Sequence, residues 1–135
     1  MADSPEQHQL PICVLLVDDD PDMRMLYGGR LLADGFDVRL AADGPEALRG
    51  ANRSVDLVLL DVRMPGMDGL EVLRRLKDDA GMAAVQVVML SNEREESSAG
   101  RARAMGAAAW WTKCDVVPAE LSRRVGDFLG CSTRR

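Results

Sequence analysis

The sequence predicts an α/β fold, (βα)5, in which a five-stranded parallel sheet is covered by helices on both faces. Three observations carry that reading. Five short apolar runs recur along the 135 residues, the segments between them are long enough for helices, and the third run is apolar without a break between two acids. A parallel sheet covered on both faces needs continuously apolar strands, joined by right-handed crossovers.

The first run, residues 12–17, ends in Asp18, Asp19 and Asp20, followed by Pro21 and Asp22. Asp20 and Asp22 suit the capping of a helix in which Met23, Leu26, Tyr27 and Leu31 share a face. Gly28 and Gly29 in that helix each cost about 1 kcal/mol relative to Ala. The second run, residues 36–41, alternates only partly, as an edge strand does. Asp43, Gly44 and Pro45 then supply an N-cap and a first-turn proline for a second helix. The third run, DLVLLD at 56–61, suits a central strand. Asp68 can cap a third helix with Leu70, Leu73 and Leu76 at helical spacing. The fourth run, 85–90, leads into Ser91 and a weak helix over 91–105, anchored by a thin stripe of Ala99, Ala102 and Met105. The fifth run, 108–112, passes into Lys113. Pro118 opens a last helix with Val117, Leu121, Val125 and Phe128 along one side. Trp110 and Trp111 are adjacent, so on a strand one faces in and the other out. No repeat or linker interrupts residues 12–130, which read as one domain between disordered tails at 1–11 and 131–135.

Composition narrows the function. Net charge is −5 with scattered basic residues, which argues against direct nucleic-acid binding. Cys13, Cys114 and Cys131 follow no metal-ligand spacing and read as buried spacers, and His8 is the one histidine, so a zinc site lacks ligands. There is no signal-peptide pattern and no apolar stretch near the ~20 residues that cross a bilayer. Those features point to a cytoplasmic chain with reduced thiols.

In an open α/β sheet, ligands bind beyond the carboxyl ends of the strands. Here those ends carry Asp18-Asp19-Asp20, Asp61, Ser91 and Lys113. Two carboxylates about 4 Å apart repel by about 4 kcal/mol at an effective dielectric near 20. A divalent cation answers that repulsion, and Mg²⁺ binds through few carboxylates while sharing its other positions with phosphate oxygens.

The loop DVRMPGMDG at 61–69, the acidic pair after strand one, the Ser after strand four and the Lys after strand five occur in order. Together they resemble the receiver domain of bacterial two-component response regulators, in a single-domain, chemotaxis-regulator-like form, over roughly residues 12–130. The resemblance implies a doubly wound, flavodoxin-like sheet of strand order 2-1-3-4-5. It implies Asp61 as phosphoacceptor from a sensor histidine kinase or histidine phosphotransfer protein. It implies Mg²⁺, with Mn²⁺ as a substitute, held by Asp18, Asp19, Asp61 and the Arg63 backbone carbonyl. Lys113 would pair with the phosphoryl oxygens, Ser91 would swing to them, and Trp110 would occupy the switch-aromatic position. The output would be a protein-binding face of helix four, strand five and helix five, on a monomer or a phosphorylation-promoted dimer. On this reading the chain is a stand-alone regulator rather than a dedicated enzyme. It would catalyse its own phosphorylation from small phosphodonors and its own dephosphorylation.

The chain departs from the family at Cys114, where a proline usually follows the lysine in a cis bond. A cis bond before a non-proline costs about 2.5–4 kcal/mol, so the loop is either strained or trans. The loop also reads one residue longer than usual, which leaves the position of the Lys113 amine open. Arg63 and Glu93 carry opposite charges at positions where the family tunes phosphoryl lifetime, and could pair across the site mouth. Two other classes of function stand beside this one. A phosphorylation-independent interaction module would keep the acids but lose the switch. An enzyme on the same fold would be a flavin protein or an aspartate-nucleophile phosphatase. Three carboxylates after strand one would repel a flavin phosphate, and such a phosphatase usually has a second Asp where this chain has Arg63.

Overall fold

The computed structural model describes residues 11–92 and 96–130. The apolar runs form β1 (Cys13–Val17), β2 (Asp37–Ala41), β3 (Leu57–Asp61), β4 (Gln86–Ser91) and β5 (Ala109–Thr112). The segments between and after them form α1 (Pro21–Ala33), α2 (Gly44–Gly50), α3 (Gly69–Asp78), α4 (Glu96–Ala104) and α5 (Pro118–Leu129). A 3-10 turn, Lys113–Asp115, follows β5. All strand pairs are parallel, in the order β2-β1-β3-β4-β5. The half-polar β2 lies at an edge, and β3, buried at all five positions, lies at the centre. The expected tails fall outside the described residues apart from Pro11, as do residues 93–95 before α4. Among the described residues, no helix is long and apolar enough to cross a membrane.

Alternation along each strand divides the interior in two. Leu15, Val17, Val58, Leu60 and Met89 pack with Leu70, Leu73, Leu76 and Ala102 on one face. Val14, Leu16, Leu57, Leu59 and Leu90 pack with Tyr27, Leu31, Leu121 and Val125 on the other. Each fully buried leucine contributes about 1.5–3 kcal/mol relative to exposure. Because both faces are covered, neither tryptophan faces out as the sequence suggested. Trp110 packs against the first core and Trp111 against the second.

Three helix starts follow their side-chain caps. Asp20, Asp43 and Asp68 accept from the backbone N–H groups of Asp22, Glu46 and Glu71 at 2.9, 2.8 and 3.0 Å. Asp22 sits in the first turn of α1 rather than at its cap. The α1 face differs from the expected one, since Leu26 is 54% exposed while Gly28 is buried. A Cβ at Gly28 would lie 3.1 Å from Leu40 Cδ2, so the glycine brings α1 close to the edge strand. Cys13 is buried as expected, but Cys114 is exposed because it rides on the 3-10 turn. Cys131 lies outside the described residues.

Gly69, the first residue of α3, presses against the end of β3. Its N–H donates to the Val62 carbonyl at 2.8 Å. A Cβ there would overlap the Asp61 carbonyl oxygen and lie 2.9 Å from Val62 Cα. Backbone cannot yield as a side-chain tip can, so Gly69→Ala is expected to lower the unfolding free energy by about 1–3 kcal/mol in urea denaturation. An unchanged midpoint would contradict this packing.

Candidate functional site: an acidic cluster at the strand ends

Register brings the chemistry-bearing residues to one sheet edge. Val17 pairs with Leu60, Asp61 with Leu90, and Ser91 with Thr112. Asp18 directly follows β1 and donates its N–H to the Ala41 carbonyl at 3.1 Å. Asp61 ends β3, and the next N–H, from Val62, donates to the Leu90 carbonyl at 3.0 Å. Asp18, Asp19 and Asp61 each offer a carboxylate oxygen within 4.8 Å of the others. Asp18 and Asp61 are buried and Asp19 is exposed, so the cluster opens to solvent through Asp19.

Lys113 enters this cluster from the far side. Its Nζ donates to Asp18 Oδ2 at 2.6 Å and lies 3.5 Å from Asp61 Oδ1. The other Asp18 oxygen, Oδ1, accepts from the Asp20 N–H at 2.9 Å. The described residues contain no cis peptide bond, so Lys113–Cys114 is trans. The 3-10 turn takes up the longer loop, and Val117 then stands at the N-cap position of α5, exposed and outside the apolar side that the sequence assigned it to. Replacing proline by Cys114 therefore does not draw the amine away from the acids.

One ammonium cannot balance three carboxylates, and the shortfall falls on Asp61. Burial pushes its carboxyl up from 3.8 to about 7. The Lys113 charge opposes that rise, while Asp18 and Asp19 add to it. Oxygen-rich, partly buried and short of positive charge, the cluster fits a hard divalent cation.

The other expected site residues are placed less centrally. Ser91 ends β4 at the same edge and is buried. The Arg63 side chain is exposed in the loop after β3, and Glu93, its expected partner, lies outside the described residues. Trp110 lies two residues before Thr112, packed toward α4. Its buried indole Nε1 finds no acceptor among the described residues. Sequence reasoning missed Thr112, buried and in register with Ser91. It also missed Arg24, whose Nη1 donates to the Asp18 carbonyl at 2.6 Å. The sequence pattern marks Tyr27 as core alone, yet its hydroxyl donates to the Val116 carbonyl at 2.9 Å. The phenol within an otherwise apolar stripe was the available signal.

Residues 14–125 match the model of the response regulator receiver domain. This chain belongs to that family. The sequence is 40% identical over 104 residues to a gliding motility regulatory protein of Myxococcus xanthus, covering 76% of this chain and 13% of that protein. It is 42% identical over 83 residues to a CpxR-homologue transcriptional regulatory protein of Haemophilus influenzae, covering 62% and 35%. The chain thus spans well under half the length of these curated relatives. Among solved structures, the chemotaxis response regulator CheY4 of Vibrio cholerae is similar at TM-score 0.78 and 29% identity, covering 87% of this chain and 98% of that one. CheY in the CheX-CheY-BeF3-Mg²⁺ complex of Borrelia burgdorferi is similar at TM-score 0.81 and 26% identity, covering 92% and 93%. Receiver domains are signalling modules that bind Mg²⁺ at an acidic pocket and interact with histidine kinases or phosphotransfer proteins.

The raised Asp61 pKa sets the sign of a pH dependence. The folded state holds a proton that the unfolded chain releases, so this contribution is complete below about pH 4 and is lost as pH rises through about 7. Asp61→Asn in EDTA is therefore expected to be more stable than the parent by about 1–3 kcal/mol at pH 8, the gain shrinking toward pH 5. Urea denaturation at both pH values measures it. A gain that did not change with pH would contradict the assignment.

Proposed function

We propose that this chain is a Mg²⁺-dependent phosphoryl acceptor with Asp61 as the accepting carboxylate. The observation that carries the reading is the buried Asp61 carboxylate beside Asp18, Asp19 and the Lys113 amine at the carboxyl edge of the sheet. Asp18, Asp19, Asp61 and the Arg63 backbone carbonyl would hold the ion, with Mn²⁺ able to replace Mg²⁺. Bound there, the ion supplies positive charge that lets an anionic phosphoryl group approach the acids.

A carboxylate oxygen of Asp61 attacks the phosphorus of a phosphohistidine. The new P–O bond forms as the P–N bond breaks, and the departing imidazole nitrogen keeps the electron pair and takes a proton. The donor is a sensor histidine kinase or a histidine phosphotransfer protein. Small phosphodonors such as acetyl phosphate serve the same chemistry, and water attacking the aspartyl phosphate reverses the loading. Lys113 pairs with a phosphoryl oxygen on the Asp61 side of its present contacts. Ser91 donates its hydroxyl to another, drawing on the strand end nearest β3.

The loaded state is read by a downstream protein at the face made of α4, β5 and α5. Trp110 belongs to that face, and its unmatched indole N–H supports a side chain with a second resting place. The switch is a local charge event that biases a two-state surface.

Intact-mass spectrometry after incubation with Mg²⁺ and acetyl phosphate tests the proposal. The expected result is a gain of one phosphoryl group that is absent without divalent cation and absent in Asp61→Asn. A mass gain that persisted in Asp61→Asn, or none in the parent chain after rapid quenching, would overturn it.

A further inference from the structure

Helix α1 holds both sides of the acid–lysine cluster. In its first turn, Arg24 donates to the carbonyl of Asp18 at 2.6 Å. Three residues on, Tyr27 donates its hydroxyl to the carbonyl of Val116 at 2.9 Å, a buried bond between residues 89 apart in sequence. Residues three apart on a helix share a face, so the two donors are kept at a fixed separation.

Val116 is the residue that closes the turn carrying Lys113. Its N–H donates to the Lys113 carbonyl at 3.1 Å. The turn is Lys-Cys-Asp-Val with every peptide trans, so no proline ring stiffens it. Short 3-10 turns have poor hydrogen-bond geometry and hold themselves weakly. Lys113 nonetheless reaches Asp18 at 2.6 Å while 6% of its side chain is exposed. From outside the turn, the Tyr27 hydroxyl meets its far end. Burial pushes that phenol up to about 12, so it remains a donor at physiological pH.

We propose that Tyr27 is a positioning residue for Lys113. Helix α1 acts as a spacer, with Arg24 on Asp18 and Tyr27 on Val116 setting where the lysine amine stands relative to the acids. The consequence for phosphoryl binding rests on the function proposed above. The anchoring of the turn rests on geometry alone.

Tyr27→Phe keeps the ring in the core and removes the hydroxyl. Two measurements separate positioning from packing. Amide hydrogen exchange at Val116 is expected to quicken about two- to tenfold relative to Leu59 at the sheet centre. The affinity for beryllofluoride with Mg²⁺, followed by tryptophan fluorescence, is expected to fall about two- to tenfold. In a Lys113→Ala background the same substitution is expected to change that affinity by less than twofold. Unchanged exchange at Val116, equal quickening at Leu59, or the same affinity loss without Lys113 would each overturn the proposal. If the parent chain binds no beryllofluoride, the phosphoryl-acceptor reading fails, and the exchange measurement still decides whether Tyr27 anchors the turn.

Discussion

The contact between Lys113 and Asp18, 2.6 Å long and closed to solvent, is the constraint around which the site is arranged. Burying an ion pair is costly, and it is tolerated only with close geometry and further hydrogen bonds on the remaining lone pairs. Asp18 meets that condition, because Lys113 takes one carboxylate oxygen and the Asp20 N–H takes the other. Asp61, 3.5 Å from the same ammonium, receives what is left. Its carboxyl is therefore the group that burial and its acidic neighbours push toward neutrality. A site with one satisfied acid, one under-satisfied acid and one exposed acid is poised to accept positive charge.

The fold supplies that poise through backbone fit. Parallel register aligns the ends of β1, β3, β4 and β5, so Asp18, Asp61, Ser91 and Lys113, far apart in sequence, converge on one sheet edge. Gly69 lets α3 start against the Asp61 carbonyl, which ties β3 to the loop that follows it. Helix α1 touches the acid side through Arg24 and the lysine side through Tyr27. The same elements that bury the two cores thus also fix the geometry of the charges.

Much of this was legible in the sequence because strand burial and helix capping are local signals. DLVLLD suits a strand covered on both faces, and Asp43 and Asp68 sit where their helices need acceptors. The acid cluster was legible because three carboxylates recur at strand ends. What the sequence hid depends on distances between elements. Leu26 shares a helical face with Tyr27 on a wheel, yet close approach to β2 at Gly28 turns it outward. The pair Trp110 and Trp111 could not reveal that both faces of β5 are covered. The path after Lys113 was open because no residue there dictates a turn, and the hydroxyl that meets its end comes from α1.

The central claim is that a divalent cation completes the charge of the Asp18–Asp19–Asp61 cluster. Its most direct test is the thermal unfolding midpoint of the parent chain as Mg²⁺ is raised at fixed ionic strength, with NaCl as the compensating salt. Specific binding to the folded state predicts a midpoint that climbs steadily with the logarithm of Mg²⁺ concentration above the dissociation constant. A midpoint that stays flat from micromolar to tens of millimolar Mg²⁺ would contradict the claim.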